Sequence, residues 1–237
     1  MFDLSGKTAL ITGGTGGIGS AIAHGLLAAS CQVFAADLPR GEPASELDDR
    51  IEVLPLDVSD TQSIDQLIAR LDRLDILVNS AGIIRREAEY ELDKFQQVVD
   101  INLTSTMRMC LACKPLLARR GGSIVNIASM LSFFGAGLAP AYSASKGGVA
   151  QLTKSLAIAW ATDQIRVNAV APGWIATPLT QRLQDDPVRS AAILARTPLN
   201  RWGRPQDLAG AVVFLCSPAA NFITGVILPV DGGYLIA

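Results

Sequence analysis

Tyr142 and Lys146 stand four residues apart in the stretch AYSASKGGVAQLTKSLAIAW, whose apolar spacing predicts a helix. Four residues place both side chains on one face, a single turn apart. A free tyrosine titrates near pH ~10, and bringing it close to neutrality requires roughly three pH units, or about 4 kcal/mol. An ammonium ~4 Å away at an effective dielectric of ~20 supplies about that amount, which makes the pair a candidate acid–base group. The same spacing also describes an exposed tyrosine beside a solvated lysine. What favours chemistry is the company: Ser129 closes the run GGSIVNIAS thirteen residues earlier, and Asn102 sits in VVDINLTS, read as part of the preceding helix. Four polar groups would meet if these elements end on one edge.

Apolar, often β-branched runs recur at 7–12, 32–36, 51–56, 75–79, 122–127, 165–170 and 226–230, separated by segments long enough for helices. Seven strands alternating with helices predict an α/β fold, a single Rossmann-type domain with a doubly wound parallel sheet in the order 3-2-1-4-5-6-7. Ligands then bind outside the carboxyl ends of the strands. Asp37, Asp57, Asn79, Ser129 and Pro172 all follow strands. The first strand leads into ITGGTGGIGSA, residues 11–21. This stretch fits two phosphate-binding spellings, one through Gly14, Gly16 and Gly19 and the other through Thr12, Gly13, Gly17, Ile18 and Gly19. Either would set a pyrophosphate on unpaired N–H groups at a helix start. The stretch 174–204, with three prolines, is the longest poorly patterned piece and a candidate substrate lid.

Net charge is −2 without a long basic run, which argues against nucleic acid or an anionic membrane as partner and for a small molecule. With no basic-then-apolar leader and no apolar stretch of ~20 residues, the chain reads as soluble and cytoplasmic. Cys31, Cys110, Cys113 and Cys216 lie in apolar surroundings and read as buried free thiols. His24, the only histidine, lies within the first helix and reads as structural. No metal is expected.

The chain resembles the short-chain dehydrogenase/reductase family through TGGTGGIG, NSAG, IASM, YSASK and RVNAVAPGWIAT, in that order. The resemblance implies the second glycine spelling, with Thr12, Gly13, Thr15, Gly17, Ile18 and Gly19 shaping the turn and Gly14 and Gly16 as variable positions. It implies that Tyr142 is the general acid/base, that Lys146 lowers its pKa and binds the nicotinamide ribose, and that Ser129 bonds the reacting oxygen. Asn102 would complete a proton relay through water. Asp57 and Val58 would hold adenine, Asn79, Ala81 and Gly82 would line the cleft, and Pro172, Gly173, Ile175 and Thr177 would flank the carboxamide. Homotetramers or homodimers are usual. Two departures stand out: the segment between Asp37 and Ile51 is short, and Ser80 replaces the usual Asn.

Asp37 ends the second strand about twenty residues past the glycine turn, where a carboxylate can accept from both adenine-ribose hydroxyls and repel a 2′-phosphate. NAD is therefore the expected cofactor, with Arg40 the one nearby cation that could rescue phosphate binding. GIIRRE and NIASMLSFFG look like the sugar-acid dehydrogenases of the family, of deoxygluconate and gluconate type. A 3-oxoacyl-carrier-protein or general ketone reductase is the alternative, and a non-catalytic NAD-binding protein a third. Arg85 or Arg86 is expected to grip a substrate carboxylate, with Met130, Phe133, Phe134 and Trp174 as apolar walls. An Arg pair balanced by Glu87, Glu89 and Glu91 on an exposed turn is the competing reading.

Overall fold

Alternate residues of each central strand feed two separate apolar layers. Ala9 and Ile11, Ile76 and Val78, and Val125 and Ile127 face one side with Ile22, Leu26, Leu208 and Val212. Leu10, Leu77 and Ile124 face the other with Ile64, Leu67, Met109, Leu117 and Leu156. A strand apolar on both faces must be covered on both, which is the condition for a parallel sheet flanked by helices. The computed structural model describes residues 2–39 and 47–237. The expectations for Arg40 and for most of the shortened segment after Asp37 lie outside the described residues.

The strands are β1 (Thr8–Thr12), β2 (Gln32–Asp37), β3 (Glu52–Pro55), β4 (Ile76–Asn79), β5 (Gly122–Ile127), β6 (Ile165–Pro172) and β7 (Ile227–Val230). They pair in parallel in the order β3-β2-β1-β4-β5-β6-β7, as the sequence predicts. The helices are α1 (Gly17–Ala28), α2 (Thr61–Ile68), α3 (Leu92–Val99), α4 (Ser105–Leu117), α5 (Pro140–Ala159), α6 (Gln181–Gln184), α7 (Pro187–Ala195) and α8 (Pro205–Cys216). The winding reverses between β1 and β4, which opens a crevice at their carboxyl ends. Among the described residues no helix is long and apolar enough to cross a membrane.

Two local elements differ from expectation. Asn102 lies in a wide π-turn, Asp100–Thr104, that joins α3 to α4, rather than in a regular helix. Such turns re-aim one side chain while the helix continues. The stretch 174–204 is not unpatterned: it holds α6 and α7, the latter begun by Pro187 and capped by Asp186, which accepts from the N–H groups of Val188 and Arg189. Helices of four and nine residues show too few periods to be read from apolar spacing. The two ends of this excursion are tied together, since Gly203 N–H donates to Trp174 O at 2.9 Å and Ala176 N–H to Gly203 O at 2.8 Å.

Candidate functional site

The glycine turn and the ends of β2, β3 and β4 enclose a cleft lined by Gly13, Gly17, Ile18, Gly19, Asp37, Asp57, Val58, Ala81, Gly82 and Thr177. Gly13 is left-handed, with φ at +64°, and a side chain there would meet the Ala81 backbone at 2.9 Å. A Cβ on Gly19 would overlap the Gly13 carbonyl, so the turn folds back on the helix only because both positions lack side chains. No side chain caps α1. Gly16, Gly17, Ile18 and Gly19 at its start line the cleft, which offers its first N–H groups and positive end there, as a pyrophosphate requires. These residues fit a dinucleotide.

Gly14 is not a freely variable position. A Cβ there would lie 2.8 Å from Ala35 and from the Ile11 carbonyl oxygen, whereas one on Gly16 would meet only the Gly13 carbonyl at 3.4 Å. Gly14 thus serves close packing of the turn on β2. Thr12 and Asn79 are buried behind the cleft. The Thr12 hydroxyl oxygen accepts from the backbone N–H groups of Ser80 at 3.2 Å and Ala81 at 3.3 Å, which holds the exit of β4 against that of β1. Thr15 donates to Asp37 Oδ2 at 2.6 Å. Asp57 Oδ1 accepts from Ser59. Gly173 packs its Cα on Asp231, Pro172 ends β6, and Ile175 is buried beside Gly203. These last three do not line the cleft.

The predicted polar group does assemble. Asn102 is fully buried: its Oδ1 accepts from Ile83 N–H at 2.8 Å, and its Nδ2 donates to Ile83 O at 2.9 Å and to Ser145 Oγ at 3.1 Å. Lys146 is 5% exposed and its Nζ donates to Ile127 O at 2.6 Å. A Cβ on Gly82 would meet Asn102 Oδ1 at 3.2 Å and Lys146 Nζ at 3.7 Å, so both groups reach the rim of the cleft. Ser129 follows β5 and accepts from Leu131 N–H.

The electrostatics depart from the simple Coulomb reading. Burial pushes the Tyr142 phenol up to about 12, against a hydrogen bond with Ser129 that pulls it down, and the charge of Glu89 pushes it further up. The Lys146 ammonium is itself driven down to about 8 by burial. It sits 5.7 Å from the centre of the Tyr142 ring and turns to the Ile127 carbonyl. Desolvation of the phenol outweighs the Ser129 hydrogen bond.

Asn126 was not singled out by sequence, although an Asn within a strand buried on both faces is itself a signal. It accepts from Asn79 Nδ2 at 2.9 Å and donates to Thr153 Oγ1 at 2.9 Å. The chain of bonds fastens α5, and with it Tyr142 and Lys146, to β4 and β5.

A family profile described as Enoyl-(Acyl carrier protein) reductase matches residues 13–235. The chain is 44% identical to the 2-dehydro-3-deoxy-D-gluconate 5-dehydrogenase of Bacillus subtilis (strain 168), covering 99% of this chain and 96% of that protein. The chain belongs to the short-chain dehydrogenase/reductase family. It is 37% identical to the 5-keto-D-gluconate 5-reductase of Escherichia coli (strain K12) over 100% of this chain and 98% of that protein. Its fold is similar to the crystal structure of a gluconate 5-dehydrogenase from Burkholderia cenocepacia J2315 in complex with NADP and tartrate, with a TM-score of 0.93, 36% identity, and 100% and 98% of the two chains covered. As a short-chain dehydrogenase/reductase the protein is an oxidoreductase with a nicotinamide nucleotide cofactor.

On the substrate side the arginines part company. Arg85 is exposed, while Arg86 crosses to the stretch after β6 and donates through Nη2 to Leu179 O at 3.2 Å. The exposed-turn reading of the three glutamates fails for Glu89, which is 1% exposed. Met130 is buried beside Ser129. Trp174 packs edge-on against Trp202 and Tyr234, and Phe134 shares Tyr234 and the Arg196 guanidinium. Both belong to packing between the 174–204 stretch and the C-terminal turn, and Phe133 stays half exposed.

The remaining motifs are structural. Burial pushes the Cys110 and Cys113 thiols up. His24 Nδ1 lies 2.8 Å from Ser20 O and its Nε2 accepts from Asp48 N–H at 3.2 Å, which fixes the Nδ1–H tautomer and ties α1 to the chain before β3.

Proposed function

We propose that this short-chain dehydrogenase/reductase interconverts a secondary alcohol and a ketone on a sugar acid, with NAD as its cofactor. The observation that carries the reading is the convergence of Ser129, Tyr142 and Lys146 beside a cleft fitted to a dinucleotide. NAD when bound supplies the hydride acceptor and a positive ring. Tyr142 takes the alcohol proton or returns it to the ketone oxygen, Ser129 hydrogen-bonds that oxygen, and Lys146 steadies the phenol and the ribose. Asn102 holds the loop at Ile83 and carries a water relay. Thr12, Gly13, Thr15, Gly17, Ile18, Gly19, Asp57, Val58, Asn79, Ala81, Gly82 and Thr177 hold the cofactor directly or through the turn. Incubation of the purified protein with NAD and a panel of sugar acids, read as the appearance of reduced nicotinamide, tests the reading. Turnover of simple ketones with no sugar acid accepted would replace it by the ketone-reductase alternative.

The substrate class draws support from the deoxygluconate and gluconate activities named for the relatives and from the tartrate in the Burkholderia complex. In this chain Arg86 is the proposed partner of the carboxylate, with Ser129, Met130 and Tyr142 around the carbinol and the 174–204 stretch as lid. Arg86→Ala should cost roughly 1.5 to 3 kcal/mol in kcat/KM for a sugar acid and little for its uncharged polyol counterpart. Arg85→Ala should leave both unchanged. Equal losses on acid and polyol would refute carboxylate recognition.

The preference for NAD rests on Asp37, which takes the Thr15 hydroxyl on Oδ2 and its neighbour's Leu38 N–H on Oδ1, and so stands at the end of β2 as a held carboxylate. A ribose diol can donate to such a group, and a 2′-phosphate is repelled by it. NADP in the Burkholderia protein is the contrary indication. The expected outcome is a kcat/KM for NAD at least about tenfold above that for NADP, a gap of ~1.4 kcal/mol, which Asp37→Asn narrows. Equal efficiency with both cofactors overturns the assignment. Leu111 on α4 and Ile158 on α5 are exposed apolar side chains, which suits a homodimer or homotetramer built through these helices.

A further inference from the structure

Glu89 is 1% exposed, and a buried carboxylate is costly unless its oxygens are satisfied. Three backbone N–H groups satisfy this one. Oε1 accepts from Arg85 at 2.8 Å and Arg86 at 3.2 Å, and Oε2 accepts from Tyr142 at 2.9 Å. The last donor belongs to the first turn of α5, where the helix's positive end favours an anion. No side chain next to α5 in sequence caps that turn, so the cap comes from a residue 53 positions away. Arg86 is held at a φ of +51°, a left-handed conformation costly to a residue with a side chain, and its N–H is one of the three donors. Beside it, the Tyr90 hydroxyl donates to Gly137 O at 2.8 Å, a second tie between this turn and the chain entering α5.

We propose that Glu89 is a positioning residue that sets the Arg86 guanidinium and the Tyr142 hydroxyl at a fixed separation, so that a sugar acid anchored by its carboxylate presents its carbinol to the acid–base group. The proposal rests on the sugar-acid reading above. One side chain spans both partners because each carboxylate oxygen serves a different element. Glu89→Gln keeps the shape but leaves a single acceptor, and its amide nitrogen faces a donor. Glu89→Asp keeps the charge but is one methylene too short to bridge both.

The test is a double-mutant cycle of Glu89→Gln with Arg86→Ala, measured as kcat/KM for gluconate and for an uncharged polyol, with NADH affinity followed by fluorescence. Glu89→Gln is expected to lose about tenfold more on gluconate than on the polyol, a size typical of coupled neighbours, while NADH affinity stays within about twofold. That acid-specific loss should vanish in the Arg86→Ala background. Glu89→Asp should reproduce it, and is the variant used if Glu89→Gln does not fold. An acid-specific loss in Arg86→Ala but none in either Glu89 variant overturns the proposal and leaves the sugar-acid reading standing. No acid-specific loss in Arg86→Ala removes the carboxylate reading itself. If both Glu89 variants lose NADH binding together with activity, Glu89 serves the fold alone and the proposal falls.

Discussion

Tyr142→Phe is expected to lower kcat by roughly 10² to 10⁴, the range contributed by a positioned acid–base group, while NAD affinity stays within about twofold of the parent, as for a group that acts only in the chemical step. The ring still packs over Lys146, and the backbone N–H still donates to Glu89. Only the titrating hydroxyl and its bond with Ser129 are lost. Lys146→Met should behave differently. Its ammonium donates to a buried carbonyl, Ile127 O, and leaving that acceptor unpaired costs about 1 to 3 kcal/mol. The same ammonium lies at the cleft rim beside Gly82, so NAD affinity and kcat should fall together. Single-turnover measurements with a deuterated alcohol separate chemistry from cofactor release. A Tyr142→Phe enzyme that kept a tenth of parental turnover with chemistry rate-limiting would remove Tyr142 from the acid–base role.

Gly19→Ala should abolish cofactor binding and destabilise the fold. The added Cβ would overlap the Gly13 carbonyl, and Gly13 cannot retreat because its own Cα faces the Ala81 backbone. The obstruction is backbone on both sides, so no flexible side chain can yield. Overpacking of this kind costs typically about 1 to 3 kcal/mol, which for a chain of this size corresponds to a fall in Tm of roughly 2 to 4 °C per kcal/mol. NAD affinity should fall at least about a hundredfold, since the α1 N–H groups must lie close to the pyrophosphate. Gly14→Ala should share the loss of stability through its collision with Ala35, while Gly16→Ala, with only a 3.4 Å approach to the Gly13 carbonyl, should resemble the parent. Thermal melting and a fluorescence titration with NADH read both effects. A Gly19→Ala protein that melts and binds as the parent does would show that the turn is not held as described.

Short-range pattern determined much of this protein. Strand positions were legible because each run is rich in apolar, often β-branched residues, a signal that needs only a few neighbours, and sheet order followed from the handedness of parallel crossovers. Tyr142 and Lys146 were legible as a pair because a four-residue spacing fixes a shared helical face whatever surrounds it. Tertiary structure decided the rest. Glu89 sits among charged residues in a turn, and nothing local distinguishes it from Glu87 or Glu91. Its burial depends on the N–H of Tyr142, 53 residues away. Gly14 matches a variable position in the motif, yet its tolerance is set by Ala35 on the neighbouring strand. The direction of the Tyr142 titration could not be read from spacing either. Spacing supplies the distance along a helix, whereas the burial that raises the phenol and the Ile127 carbonyl that draws the Lys146 ammonium are properties of the packed interior.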